Sequence, residues 1–278
     1  MYVQRCFGGL LRVRRPSLLV SVRSADEVAS AIEGGAEIID VKEPSHGSLG
    51  MASPETLAAC SAAVPEHHLW TLAGGELLNR RKHMDGSEDG DTTSPSATGF
   101  LPELKRLPYA VKFGLSRCCD IEWTEVFHDV AASLPVNVRA IPVAYADWQA
   151  AGSPDVPAVL NAANLYGWST VLVDTFDKAE SGSLLDLVSI KTLQDWVAQA
   201  SRHGVDIVLA GRLSLEDVPT VSACEPMAVA VRSAVCIGGR NGRVDTRLVQ
   251  MVASQCRDGS LNSRKKSIVG NSLKGVNL

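Results

Sequence analysis

A lysine and an aspartate lie close together in a short apolar run near the start of the chain. The run Ile38-Ile39-Asp40-Val41-Lys42 is β-branched apart from its two charged members, which predicts a strand that is buried on both faces. Alternate residues of a strand point to the same face, so Asp40 and Lys42 project together. Charged side chains in such a place are costly unless they are paired or used in chemistry. We therefore expect this strand to contribute to a catalytic site.

Other charged side chains occupy comparable positions further along the chain. They lie within or shortly after segments that predict buried strands, and they are Lys112, Asp147, Asp174, Lys178, Arg212 and Arg232. Each one alone has an ordinary explanation, because a lone lysine at a strand end extends to solvent and a lone aspartate caps a helix. Their recurrence at strand ends favours a shared functional role, provided that the strands end at one place.

The charged set suits chemistry through a Schiff base. Clustered ammonium groups lower one another's pKa, because like charges disfavour the protonated form. A neutral amine is the nucleophile that attacks a carbonyl group, and neighbouring carboxylates or a second lysine can move the protons. The candidate catalytic residues are therefore Lys42, Lys112, Asp40, Asp174 and Lys178.

Glycines and arginines in the C-terminal half are candidates for binding phosphate. Barrel enzymes commonly bind phosphate with the loops after their seventh and eighth strands, and arginine pairs well with phosphate oxygens. The candidates are Gly211, Arg212, Arg232, Gly238 and Gly239, with Arg240 as an additional charge and Ser48 from the loop after the second strand. Together with the lysines, they indicate aldolase-like chemistry on a phosphorylated carbonyl compound.

The hydrophobic pattern predicts eight strands that alternate with helices. The predicted strands are Leu18–Val22, Ile38–Lys42, His68–Ala73, Tyr109–Leu115, Val136–Tyr145, Ser169–Thr175, Val205–Ala210 and Met227–Arg232. The predicted helices are Ala25–Glu33, Pro54 to about Val64, Leu101–Arg106, one that Asp120 caps and that extends through Leu134, Val156–Tyr166, one that ends at Gly204, Leu213–Val221, and Val244 to about Ser254. Such alternation implies parallel strands joined by helical crossovers.

Eight such units predict an α/β fold, a single (β/α)₈ TIM barrel with parallel strands. A doubly wound sheet is the alternative, but it calls for a glycine-rich turn after the first strand, and Arg23-Ser24-Ala25 has no glycine there. In a barrel, the C-terminal ends of the strands surround one active site. The charged residues at the strand ends would then lie together.

Composition divides the chain into a barrel domain and polar segments. The catalytic barrel is expected over residues 17–256. It is joined to a basic N-terminal extension at 1–16, an insertion at about 76–99 that is rich in polar residues, and a polar tail at 257–278. Such segments cannot bury enough apolar surface to offset the cost of ordering, so we expect all three to be mobile.

Composition also argues against several classes of function. A net charge of −4 and a pI of about 5.9 disfavour a nucleic-acid partner, and no apolar run reaches the length of about 20 residues that spans a membrane. The seven cysteines include no Cys-x-x-Cys pair, which favours the reducing cytoplasm. The histidines are dispersed and no nicotinamide fingerprint is present, so we expect neither a metal nor a cofactor. A homo-oligomer is left open.

Several motifs resemble those of one family. They are Ile-Ile-Asp-Val-Lys-x-Pro-x-x-Gly-Ser-Leu-Gly at 38–50, Val-Lys-x-Gly-Leu at 111–115, Tyr-Ala-Asp at 145–147, Asp-Thr-x-x-Lys at 174–178, Leu-Ala-Gly at 209–211, and Val-Arg-x-Ala-x-Cys-x-Gly-Gly followed by Asn-Gly-Arg-x-Asp, ending at Asp245. Over about residues 17–256 the chain resembles the (5-formylfuran-3-yl)methyl phosphate synthase family of methanofuran biosynthesis, also called 4-(hydroxymethyl)-2-furancarboxaldehyde-phosphate synthases.

The resemblance implies a TIM-barrel lyase that joins two molecules of glyceraldehyde 3-phosphate, with loss of phosphate and water as a furan ring closes. It implies that Lys42 is the Schiff-base lysine and that Lys112 is the proton acceptor. Asp40, Asp174 and Lys178 match the positions of the family's other active-site residues.

Two other functions stay open on the residues alone. The first is another Schiff-base aldolase or lyase that acts on a different sugar phosphate. The second is a non-catalytic protein that binds a phosphorylated metabolite of the same pathway. The presence of both Lys42 and Lys112 argues against the second.

Overall fold

Eight parallel strands close into a barrel in the order of the sequence. The computed structural model describes residues 15–79, 101–177, 180 and 182–257. The strands are β1 (Ser17–Val22), β2 (Ile38–Val41), β3 (Leu69–Glu76), β4 (Ala110–Gly114), β5 (Arg139–Tyr145), β6 (Thr170–Asp174), β7 (Asp206–Leu209) and β8 (Ala228–Val231). Because β1 pairs in parallel with both β2 and β8, no strand edge is left open. The predicted (β/α)₈ TIM barrel is confirmed.

Helices follow the strands and surround the barrel. They are α1 (Ala25–Glu33), α2 (Pro54–Ala63), α3 (Trp123–Ala132), α4 (Trp148–Ala151), α5 (Val156–Tyr166), α6 (Leu184–Leu187), α7 (Ile190–Arg202) and α8 (Asp217–Ser222), and residues 246–257 are also helical. The side chains of Ser53, Asp155 and Ser189 cap α2, α5 and α7 by accepting a backbone N–H of the first turn. None of the helices in the described part of the chain is long and apolar enough to cross a membrane.

The strands separate two apolar layers. Alternate strand residues such as Leu19, Val143 and Leu172 fill the inside of the barrel. The residues between them, such as Val20 and Val173, pack outward against the helices. Because both faces are buried, the strands appear in the sequence as nearly continuous apolar runs.

Several predicted boundaries are wrong. The helix predicted over Leu213–Val221 begins only at Asp217, and the strand predicted from Val136 begins at Arg139. Asp120 does not cap a helix: α3 begins at Trp123, after Glu122. The helix predicted over Leu101–Arg106 is a single 3₁₀ turn. The strand predicted to end at Ala73 continues to Glu76, because its last residues pair with β4 after a register shift.

The predicted extension, insertion and tail fall almost entirely outside the described residues. Only residues 76–79 of the insertion are described, and they belong to the folded barrel: Glu76 ends β3, and Leu77 is fully buried. The glycine-rich segment before the last helix is an antiparallel hairpin that the sequence pattern did not predict. Its strands are β9 (Cys236–Ile237) and β10 (Arg243–Val244).

A buried ion pair ties this hairpin and β8 to the first helix. The Arg232 guanidinium contacts both carboxylate oxygens of Glu27, with Nη2 donating to Oε1 at 3.1 Å. Arg232 also donates to the carbonyl groups of Ser21, Arg240 and Gly242. All five N–H groups of the guanidinium can therefore be assigned to acceptors within the protein.

We predict that Glu27→Gln destabilises the fold, because it leaves the Arg232 cation buried beside an uncharged group. Breaking a buried pair in this way typically costs about 3–5 kcal/mol of the free energy of unfolding. Urea denaturation followed by circular dichroism measures the loss. Lys191→Gln is the control, because it removes the exposed pair with Asp195, and exposed pairs contribute little. Equal losses in the two variants would contradict the prediction.

Candidate active site

A pocket lies at the C-terminal end of the barrel. It is lined by most of the predicted site residues, namely Asp40, Lys42, Ser48, Lys112, Asp174, Gly211, Arg212 and Arg232. Gly238 and Gly239 lie in the β9–β10 hairpin and do not line it. Lys178 lies outside the described residues. The strand ends thus bring together both described lysines and both described carboxylates of the candidate catalytic set.

Asp40 is the most deeply buried charge of the pocket, with 1% of its surface exposed. Ser21 on β1 and Thr71 on β3 stand in register with Asp40 on either side. Ser21 Oγ donates to Oδ2 at 3.1 Å, and Thr71 Oγ1 donates to Oδ1 at 2.8 Å. The Lys112 ammonium forms an ion pair with Oδ1. A carboxylate can be held in this position because donors surround it.

Lys112 reaches Asp40 from β4, across the intervening strand β3. Its side chain is almost fully buried, with Ala73 and Ile141 as its register partners. Lys112 also borders a second cavity of about 670 Å³, which reaches the starts of the strands. The ion pair with Asp40 fixes the amine between these two spaces.

Lys42 follows β2 directly and lines the same pocket. Its backbone N–H donates to the Val22 carbonyl at 3.0 Å, so the β1–β2 ladder holds the backbone one residue beyond the strand. Only 8% of the residue is exposed. Asp40 and Lys42 share a face, as predicted, and Asp40 forms an ion pair with Lys112.

The loop after β2 is folded back onto itself. The Glu43 N–H donates to the Gly50 carbonyl at 2.8 Å. A Cβ at Gly50 would lie 2.2 Å from the Glu43 carbonyl oxygen, so only glycine fits. Burial raises the pKa of Glu43, but hydrogen bonds from Ser45 and the charge of Arg23 outweigh burial and lower it. These contacts explain why Gly50 is a glycine and how Glu43 stabilises the loop after Lys42.

Ser48 joins this loop to the one after β6. Its hydroxyl is buried and donates to the carbonyl oxygens of Thr175 at 2.9 Å and Phe176 at 2.7 Å. A hydroxyl has one proton, so this proton is shared between two backbone acceptors. Although Ser48 lines the pocket, the geometry favours a structural role over donation to a substrate.

The other side of the pocket combines one carboxylate with arginines. Asp174 ends β6, and its Oδ1 accepts the Thr175 N–H at 2.8 Å. After β7, Gly211 and Arg212 both have positive φ angles, of 116° and 50°, which turns the backbone sharply. Arg240 also lines the pocket. Burial lowers the pKa of its guanidinium, and Asp174 opposes that effect.

Arg232 does not carry over as a phosphate ligand. It lines the pocket, but its guanidinium is engaged with Glu27 and three carbonyl groups. Releasing it for a substrate would leave the Glu27 carboxylate buried without its cation. We assign Arg232 to the closure of the barrel.

The sequence pattern missed several polar residues of this end of the barrel. Tyr145 OH donates to Glu76 Oε1 at 2.6 Å, and Oε2 accepts the Ser116 N–H at 3.0 Å. A Cβ at Gly114 would lie 2.3 Å from both side chains. Glu76 was not recognised because the polar segment that follows it hides the end of the strand. The contact of Thr71 with Asp40 can be recognised only once β3 is paired with β2.

None of the cysteines in the described part of the chain is suited to nucleophilic chemistry. The described cysteines are free thiols. Burial raises the pKa of Cys118 to about 12, and a hydrogen bond to Asp120 raises that of Cys119. Thiols with raised pKa values are poor nucleophiles. Within the described ranges, no group of three or more histidine, cysteine or acidic residues is arranged to hold a metal ion.

Comparison with known proteins identifies one family. The family model described as 4-HFC-P synthase matches residues 18–253. A (5-formylfuran-3-yl)methyl phosphate synthase from Methanopyrus kandleri is 32% identical over 246 residues, which cover 86% of this chain and 98% of that protein. The protein of the same name from Methanocaldococcus jannaschii is 30% identical over 242 residues, covering 86% of this chain and 99% of the relative.

Solved structures support the fold. Phosphoribosyl anthranilate isomerase from Thermotoga maritima aligns with a TM-score of 0.58 at 15% identity, covering 87% of this chain and 99% of that chain. Thiamine phosphate pyrophosphorylase from Pyrococcus furiosus gives 0.56 at 12% identity, covering 90% and 99%. At these identities the likeness concerns the barrel alone.

We predict that Tyr145→Phe makes the protein less sensitive to alkali. Burial, reinforced by Glu76, raises the pKa of Tyr145 well above its ordinary value of 10.0. The folded state therefore keeps a proton that the unfolded state releases, so the stabilisation is complete below about pH 10 and declines at higher pH. Urea denaturation at several pH values should show a steeper alkaline loss in the wild type than in Tyr145→Phe. Tyr166→Phe, at an exposed position, is the control. Parallel losses in wild type and Tyr145→Phe would contradict this account.

Proposed function

The chain belongs to the 4-HFC-P synthase family, and from this premise we propose that it joins two molecules of glyceraldehyde 3-phosphate through a lysine Schiff base. The proposed product is (5-formylfuran-3-yl)methyl phosphate, formed with loss of phosphate and water. The product would serve the synthesis of a methanofuran-type cofactor. An enzyme that catalyses this reaction is classed as a lyase.

One observation carries the proposal: two buried lysines line the same pocket. Lys112 forms an ion pair with Asp40, which also accepts two hydroxyl hydrogen bonds. Lys42 sits on the backbone ladder of β2 at the mouth of the barrel. Two amines in one pocket support a division of labour, and the family resemblance assigns the nucleophile to Lys42 and the proton transfers to Lys112.

The first steps then follow from the chemistry of an amine and an aldehyde. Lys42 Nζ adds to the aldehyde carbon of one triose phosphate, and loss of water gives the imine. Lys112, after passing a proton to its ion-pair partner Asp40, accepts the proton on the adjacent carbon, which gives an enamine. The enamine expels the phosphate from the next carbon and leaves an α,β-unsaturated imine. The second triose phosphate, deprotonated at its C2, adds to the terminal carbon of this imine, and Asp174, which lines the pocket, assists the proton transfers. The C2 oxygen of the first unit then closes the ring on the aldehyde of the second, two waters are lost as the furan forms, and hydrolysis of the imine releases the product from Lys42.

The phosphate groups need cationic or N–H ligands near this pocket. Arg212 and the backbone at Gly211 are the proposed ligands after β7. Arg240 adds positive charge to the same wall. The roles of Lys178, Gly238 and Gly239 stay predictions.

Product analysis separates this proposal from its alternatives. The protein is incubated with glyceraldehyde 3-phosphate, and the products are identified by mass spectrometry. The proposal expects a species with the mass of two substrate molecules less phosphoric acid and two waters, together with free phosphate. Another condensation product would favour a different aldolase or lyase, and no turnover with bound substrate would favour a binding protein.

We predict that Lys42→Arg abolishes turnover. Arginine keeps the positive charge but does not form a stable imine with an aldehyde, so the covalent route is lost. Furan formation is measured, and circular dichroism checks that the variant is folded. Lys191→Arg, on the exposed face of α7, should keep full activity. A folded Lys42→Arg variant with wild-type turnover would remove Lys42 from the mechanism.

We predict a different defect for Lys112→Ala. The imine should still form, because Lys42 is intact, but the later proton transfers should slow by roughly 10²–10⁴-fold, as for loss of a general base. Borohydride trapping measures the imine, and turnover measures the later steps. The variant also leaves Asp40 without its ion-pair partner, so its stability is measured in parallel. Equal losses of trapping and turnover in a folded variant would contradict the assignment.

A further inference from the structure

The loop after β6 is held by side chains from two other loops. Asp147, which follows β5, accepts two consecutive backbone N–H groups of this loop. Its Oδ1 accepts the Phe176 N–H at 2.7 Å, and its Oδ2 accepts the Asp177 N–H at 2.9 Å. Asp147 is 7% exposed. Both carboxylate oxygens therefore hold the backbone of residues 176 and 177.

The carbonyl groups of the same segment are held from the opposite side. Ser48, in the loop after β2, donates to the carbonyl oxygens of Thr175 and Phe176. The Phe176 ring also packs edge-on against Tyr145, with ring centroids 5.2 Å apart. The segment 175–177 is thus fixed by contacts to the loops after β2 and β5 and to the end of β5.

This segment continues directly from a candidate catalytic carboxylate. Asp174 lines the pocket, and its Oδ1 accepts the Thr175 N–H at 2.8 Å. The orientation of the Asp174 carboxylate is therefore tied to the position of the first peptide group of the segment. A shift of residues 175–177 would change how Asp174 faces the pocket.

The carboxylate of Asp147 suits this task, and an asparagine side chain does not. A carboxylate offers two acceptor oxygens, whereas an asparagine side chain offers one acceptor and one donor group. With asparagine, an amide N–H would face one of the two backbone N–H groups. One hydrogen bond of the pair would be lost, and the buried backbone donor would be left unsatisfied.

We propose that Asp147 is a positioning residue for the reaction, which acts by holding residues 175–177 so that Asp174 faces the substrate. The inference rests on the proposed function and extends it to a residue outside the candidate catalytic set. Ser48 supports the same segment from the carbonyl side. Asp147 itself acts through the backbone rather than on the reacting atoms.

The test compares Asp147→Asn with wild type in three measurements. Hydrogen exchange of the peptide segment around residues 174–177 should become faster. The kcat for furan formation should fall by about 10²-fold, the effect expected of a misplaced catalytic group, while KM stays nearly unchanged. Borohydride trapping at Lys42 should keep its wild-type yield, because that amine is held by β2.

Matched variants separate positioning from a general loss of stability. Asp155→Asn alters another aspartate that accepts a backbone N–H, that of Ala158 at 2.7 Å, at the start of α5. It should leave kcat and the exchange of residues 174–177 unchanged. Asp147→Glu, which keeps two acceptor oxygens, should recover part of the kcat. If Asp147→Asn does not fold, Ser48→Ala serves as the test in its place, and it should lower kcat in the same manner.

Several results would overturn the inference. For Asp147→Asn they are unchanged hydrogen exchange of residues 174–177, or a wild-type kcat despite faster exchange. An equal loss of kcat in Asp155→Asn would also overturn it. If Asp147→Asn does not fold, a wild-type kcat in Ser48→Ala would do so. A wild-type protein that forms no furan product would instead overturn the proposed function. Because exchange is measured without substrate, the two failures are distinguished.

Discussion

The buried carboxylate of Asp40 is the constraint on which the rest of the pocket depends. A carboxylate in the middle of a barrel is stable only where donors replace its hydration. Here the donors come from β1, β3 and β4, so Ser21, Thr71 and Lys112 are required together. The same arrangement commits Lys112 to an ion pair with Asp40.

Around this centre, backbone groups of the loops are held by side chains from other loops. Arg240 donates to the Gly47 carbonyl at 2.7 Å, which joins the β9–β10 hairpin to the loop after β2. Ser48 and Asp147 hold the loop after β6 from two sides. The pocket is therefore built on loops that contact one another, and its geometry does not depend on the strands alone.

The fold was predictable because the strands are buried on both faces and therefore stand out as apolar runs. The helices α1 and α5 were located correctly from their periodicity and from the glycines that end them. The grouping of the charged residues followed from the parallel direction of the strands. Partner choice was not predictable in the same way. The pairing of Glu27 with Arg232 joins residues 205 positions apart. The pairing of Asp40 with Lys112 depends on which side chains of β2 and β4 meet inside the closed barrel. The β9–β10 hairpin was obscured by its glycines, which carry no hydrophobic pattern.

We propose that Lys42 is the residue that bonds covalently to the substrate. The most direct test treats the wild-type protein with glyceraldehyde 3-phosphate and borohydride, digests it, and locates the reduced adduct by peptide mass spectrometry. We predict a single adduct, on the peptide that contains Lys42. An adduct on Lys112 or Lys178, with Lys42 unmodified, would contradict this assignment.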